Sequence, residues 1–201
     1  MLERALEGYE EALGVKHTST LDAVYSLSNL YSAQGKLKEA QEMLERALEG
    51  YEEALGAKHT STLNAVHNLS ILYRDQGKLK EAQEMFERAL EGYEEALGAK
   101  HTSTLDAVNN LGDFYREQGK LKEAQEMLER ALKGYEGALG AEHTSTLLTV
   151  NNLGNLYREQ GKLKEAQEML ERALKGDEEA WGAEHTSTIS AVNNLGLLYA
   201  D

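Results

Sequence analysis

Apolar residues at Leu21, Val24, Leu27, Leu30 and Tyr31 recur in steps of three and four, the spacing that lines one face of a helix. The pattern predicts a helix over 19–33, stopped by Gly35. Thr18 or Ser19 is its expected N-cap, with Asp22 three residues after Ser19 in a capping-box-like arrangement. A second stripe, Leu37, Ala40, Leu44, Ala47, Leu48, Tyr51 and Leu55, predicts a longer helix over 37–55 that Gly56 closes. A short loop over 57–60 follows, and then the first pattern begins again. No strand-type alternation interrupts the series.

The return is literal. The segment at 34–43, Gln-Gly-Lys-Leu-Lys-Glu-Ala-Gln-Glu-Met, recurs letter for letter at 76–85, 118–127 and 160–169, always 42 residues on. A fixed period of this size marks units that bury their apolar faces against each other. Residues 1–14 match 43–56, so the expected organisation is one array over 1–201. It opens with a truncated second helix (1–14), continues through full repeats at 15–56, 57–98, 99–140 and 141–182, and closes on a lone first helix (183–201). Starting and stopping inside a unit is the pattern of a fragment, or an engineered piece, of a longer array.

Val108-x-x-Leu111-Gly112-x-x-Tyr115, then Ala124, Leu128 and Ala131, resembles the tetratricopeptide signature. Val stands where that family often has Trp, Leu128 where it has Phe, and Glu136 where it has a closing Pro. The 42-residue period, with Val-Asn-Asn-Leu-Gly followed later by Leu-Gly-x-x-His, is similar to kinesin light chain repeats. It is closer still to the C-terminal arrays of fungal NOD-like receptors, whose loops often carry Pro where this chain has Val15, Ala57, Ala99, Ala141 and Ala183. The resemblance covers the whole chain. It implies an all-α, right-handed tetratricopeptide α-solenoid of about 4.5 repeats, with nine full helices and one truncated one. It also implies that each unit's first helix lines a concave groove used for binding.

Composition narrows the class. The chain of 201 residues is 41% hydrophobic, has no Pro and no Cys, and carries a net charge of −14. Without Cys there is no disulfide framework and no thiolate metal site, which suits a reducing, cytoplasmic setting. No apolar run approaches the roughly 20 residues of a membrane span. Phosphate backbones would be repelled, so no nucleic acid and no membrane is expected among the partners.

The copies differ mainly on one face of the first helix. The first site reads Asp22, Asn64, Asp106, Leu148, Ser190. Three residues on it reads Tyr25, His67, Asn109, Asn151, Asn193, and four further Asn29, Ile71, Asp113, Asn155, Leu197. The closing pair reads Ser32-Ala33, Arg74-Asp75, Arg116-Glu117, Arg158-Glu159, Ala200-Asp201. These offsets share one helical face, opposite Val24, Leu27 and Tyr31. The polar face of the second helix (Lys36, Lys38, Glu39, Glu42, Glu45) hardly varies, so the variation points to a scaffold diversified for recognition. Ile71, Leu148 and Leu197 are apolar among Asn and Asp, and Tyr25 is an interface type. By the resemblance, Asn68, Asn110, Asn152 and Asn194 hold a ligand backbone, Ser26 breaking the row; equally, they could tie neighbouring helices together. Arg74, Arg116 and Arg158 are placed to grip a carboxylate, but each precedes an acid that neutralises it.

Other chemistry is not indicated. His17, His59, His101, His143 and His185 recur once per unit, too far apart to share a metal, and read as loop packing or capping residues. His67 stands alone and would make contacts pH-sensitive. No nucleophile–base constellation, phosphate loop or paired catalytic carboxylate occurs, so neither enzyme nor cofactor is expected. Trp181 is expected in the core, Asp177 in place of Tyr51 is expected to loosen its unit, and Gly50 and its copies to pack closely on the next unit. The expected function is a non-enzymatic module that binds a protein or peptide, as the ligand-sensing part of a fungal NOD-like receptor. Two alternatives stay open: self-association through exposed terminal helices, and an engineered consensus array, which the irregular groove residues fit poorly.

Overall fold

Each first helix starts one residue after a histidine. In the computed structural model, the imidazole Nδ1 of His17 accepts the Ser19 amide at 3.2 Å, so His17 is the N-cap and the helix runs Thr18–Ala33. His59, His101 and His143 cap Ser61, Ser103 and Ser145 at the same distance. The expectation of Thr18 or Ser19 as cap is therefore corrected. Histidine is outside the usual cap set, but its unprotonated ring nitrogen supplies the same acceptor as a serine oxygen. A threonine just inside the helix closes the loop: the Thr20 and Thr62 hydroxyls donate to the Gly14 and Gly56 carbonyls at 2.8 and 2.9 Å. Gly56 itself has φ 90°, a conformation that would strain any side chain, and this ends the preceding helix.

The structure describes residues 1–200, which fall into two compact units, Met1–Ala99 and the residues from Lys100 onward. Asp201, half of the last closing pair, lies outside the described residues. The first unit holds α1 (Leu2–Leu13), α2 (Thr18–Ala33), α3 (Leu37–Leu55), α4 (Thr60–Asp75) and α5 (Leu79–Leu97). The second holds α6 (Thr102–Glu117), α7 (Leu121–Leu139), α8 (Thr144–Glu159), α9 (Leu163–Trp181) and α10 (Thr186–Ala200). Among the described residues there is no strand, and the all-α repeat architecture expected from the period is what forms.

Within each unit a helix packs chiefly on its neighbours in sequence. In the first unit Leu21, Val24 and Leu27 of α2 meet Ala47 and Tyr51 of α3, and Ala40 and Leu44 of α3 meet Leu69 and Leu72 of α4. In the second unit Ala124 and Leu128 of α7 meet Leu153 and Leu156 of α8. Each fully buried Leu contributes about 2–3 kcal/mol from removal of apolar surface. Leu30 departs from its stripe at 38% exposed, whereas its copy Leu72 is buried against Ala40 and Leu44. Gly50 packs on Leu21 of its own repeat, not on the next one; a Cβ there would overlap the leucine. Trp181 is also corrected: it is 51% exposed and stacks on His185, ring centroids 5.2 Å apart. Leu55 and Leu97, at the same place in their repeats, are half-buried.

Within a unit, the end of a first helix and the turn after it are tied to the preceding second helix by a repeated set of polar contacts. Gln76 donates to the Leu37 carbonyl at 3.2 Å, Lys78 to Gln41 at 2.8 Å and Tyr73 to Glu45 at 3.0 Å. Gln160, Lys162 and Tyr157 make the same bonds to Leu121, Gln125 and Glu129 at 3.1, 3.0 and 3.0 Å. Within the repeated Gln-Gly-Lys-Leu-Lys-Glu-Ala-Gln segment, the two Gln, the first Lys and the backbone of the Leu belong to this joint.

Candidate interaction surface on the first helices

The varying residues lie where neighbouring first helices adjoin within each unit. In the first unit the Asn68 side-chain amide reaches from α4 to α2, donating to the Tyr25 hydroxyl at 2.7 Å and to Asn29 Oδ1 at 2.9 Å. In the second, Asn194 of α10 donates to Asn151 of α8 at 3.0 Å, and Asn152 of α8 to Asn109 of α6 at 3.5 Å. Asn68, Asn152 and Asn194 therefore link first helices, as in the second of the two readings above. Asn110 is half-buried beside it, its Oδ1 accepting from Asn109 at 3.4 Å. Asn109 is only 5% exposed, and its Oδ1 also accepts the Thr149 hydroxyl at 3.0 Å. That leaves Asn109 no face for a partner. Thr149, which sequence reasoning missed, stands where the other copies have Ala23, Ala65, Ala107 and Ala191.

The first varying site is engaged by the second helix of its own repeat. Tyr51 donates its hydroxyl to Asp22 at 2.5 Å, Tyr93 to Asn64 at 2.5 Å, and Tyr135 to Asp106. Burial first, and then the facing carboxylate, push the Tyr51 and Tyr135 phenols well above their usual range. Asp22 thus serves this bond rather than a capping box. His67 is half-buried, edge-on to Phe86 and Tyr93 with centroids 6.1 and 6.3 Å apart.

The arginines are held within the chain. Arg116 donates to Asp113 at 2.8 Å and to Glu159 of the next first helix at 2.6 Å. Arg74 pairs with Asp75 at 3.0 Å. Arg158 is half-buried. At Arg74 and Arg116 a partner carboxylate would compete with acids already in place.

Two hollows remain open on this face. In the first unit, Asn29, Ser32, Asn68, Ile71, Leu72 and Asp75 line a cavity of about 200 Å³. In the second, Leu148, Asn151 and Ser190 line another of about 200 Å³ with Asp177 at its wall. Leu148 is 55% exposed; Leu197, Asn193 and Ser190 on α10 are also exposed, and the Ser190 hydroxyl bonds its own helix at Thr186 O, 2.9 Å away. Asn155 is half-buried, its Oδ1 buried without a hydrogen-bond partner. Among the described residues no three His, Asp or Glu side chains are grouped to hold a metal, and no helix is long and apolar enough to cross a membrane.

A family model described as tetratricopeptide repeat matches residues 1–53, 25–95 and 103–179, and a second such model matches 67–138. No curated protein matches the chain. Among solved structures, the chain is similar to a Podosopora anserina protein of kinesin light chain type with nearly identical TPR-like repeats. Two structures of that protein, one of them a point variant, give TM-scores of 0.76 and 0.77 for the variant; each is 29% identical, with 92% of this chain and 87% of that one covered. BtubC (BKLC) from P. vanneervenii, 22% identical over 99% of this chain and 80% of its own, shares the fold with a TM-score of 0.83.

Proposed function

The chain belongs to the tetratricopeptide repeat family, of the kinesin light chain-like kind, and from that premise we propose that it binds a protein or peptide on the face formed by its first helices. One observation carries the reading. The two hollows on this face open at Ile71 and at Leu148, positions where otherwise matching repeats differ. Repeats of this family commonly serve protein–protein interaction, and the chain acts here as a non-enzymatic scaffold inside the cell. The loop sequence that resembles fungal receptor arrays supports a narrower proposal, that the chain is the ligand-recognition part of a NOD-like receptor.

A peptide-display selection tests the reading on two proteins: this chain, and a variant levelled at the hollows by Ile71→Asn, Leu148→Asp and Leu197→Asn. Peptides enriched on the first and lost on the second are the expected result. Equal enrichment on both, or none on either, removes the first-helix face from consideration.

A second reading is self-association. It is favoured by the apolar residues that α1 (Leu2, Tyr9, Leu13) and α10 (Ile189, Val192, Leu197, Tyr199) leave exposed, and the solution mass as a function of concentration tests it.

A further inference from the structure

One repeat of the second unit has lost the tyrosine bond and gained a buried acid. Where the other repeats have Tyr51, Tyr93 and Tyr135, α9 has Asp177; where those hydroxyls find Asp22, Asn64 and Asp106, α8 has Leu148. Donor and acceptor have both gone, and the carboxylate has moved from the first helix to the second. The ring volume is not refilled, and the cavity of about 200 Å³ bounded by Thr144, Leu148, Asn151, Asp177, Ser187 and Ser190 stands in its place. Asp177 is 7% exposed, and among the described residues no hydrogen bond or ion pair reaches its carboxylate. Burial pushes this carboxyl above its usual value, and the nearby His185 offsets that only in part.

The lining selects the chemistry of an occupant. An anion would meet Asp177, and the helix N-termini that open beside the cavity have cap amides already taken: Ser145 by His143 at 3.2 Å, Ser187 by His185 at 3.3 Å. A purely apolar group would bury the carboxylate further and leave it without a donor. A cation on an aliphatic stem meets both demands, with the stem against Leu148 and the head on Asp177. The Ser190 hydroxyl, which already donates to Thr186 O at 2.9 Å, keeps its lone pairs for the remaining N–H groups. The net charge of −14 favours a cation's approach. We propose that this cavity is a subsite for a basic side chain, lysine or arginine, of a bound partner segment. The proposal rests on the first-helix face being the recognition surface and names one of its contacts.

Amide chemical shifts of the full chain, titrated with N-acetyl-lysinamide, test it. Saturable shifts are expected at Leu148, Asp177, Ser187 and Ser190, with the neutral N-acetyl-norleucinamide binding at least about tenfold more weakly. Asp177→Asn should lose about the same factor. Asp177→Tyr with Leu148→Asp restores the pair seen in the other repeats; it should abolish the shifts while the chain stays folded, its melting midpoint no lower than before. Equal binding of the neutral probe, an unaffected Asp177→Asn variant, or no saturable shift overturns the proposal. So does binding of butylammonium with N-acetyl-lysinamide excluded, which would assign a free amine instead. Display selection that enriches peptides without basic residues would leave the general reading standing and remove this one.

Discussion

A methyl group added at Gly92 and one added at Gly137 should have opposite effects. Both residues sit inside second helices, where alanine is favoured over glycine by about 1 kcal/mol. At Gly92 the new Cβ would overlap Leu63, and overpacking costs about 1–3 kcal/mol; at Gly137 it would meet nothing. Urea denaturation should therefore find Gly92→Ala destabilised by roughly 1 kcal/mol and Gly137→Ala stabilised by about 0.5–1 kcal/mol. Stabilisation by both substitutions would show that the Leu63 contact relaxes freely. The sequence alone marks Gly92, a copy of Gly50, as a close approach but misplaces the neighbour, since a period of 42 does not say which side of a helix meets its own repeat. Asn109 shows a similar limit. Helical spacing puts it on the varying face, and only Thr149, a single departure from alanine, hints that it is covered. Asp177 is legible as an oddity, but its meaning needs Leu148 to be read with it.

Between helices, the tyrosines at the repeat joints carry a pH dependence. Burial and then the facing glutamate push the Tyr73 and Tyr157 phenols up to about 12 from the usual 10.0. The neutral phenol is the donor to Glu45 and Glu129, so the stability it adds is present in full below about pH 10 and lost as pH rises through about 12. A variant with Tyr73→Phe and Tyr157→Phe should therefore start less stable and decline less over that interval. Identical declines in urea midpoint would rule the bonds out as a source of stability. The second helices are legible at both ends, Leu37–Leu55 and its copies, because their stripes and closing glycines are local signals. Their constancy is harder to interpret. Glu45 receives Tyr73, and Lys36 lies over the Tyr31 ring at 5.3 Å, so packing holds part of a face that looks free to drift. Lys38, Glu39 and Glu42 remain exposed and unvaried, which keeps the contrast with the first helices.

For the whole molecule, the exposed residues of α1 and α10 set the remaining expectation. If these faces pair, light scattering should show a mass that rises with concentration, and Val192→Asp on α10 should lower it. A constant monomer mass to the highest soluble concentration would dismiss the idea. The joint inside the first unit and the joint inside the second use the same donors on the same acceptors, Gln76, Lys78 and Tyr73 in one, Gln160, Lys162 and Tyr157 in the other. A repeat with such ends fits beside any other repeat that has them. Copying a block of 42 codons, or dropping one, would leave every new junction with its bonds intact. The gene behind this chain can therefore lengthen, shorten or reorder its varying first-helix positions by recombination between its own copies without having to re-solve the folding problem each time.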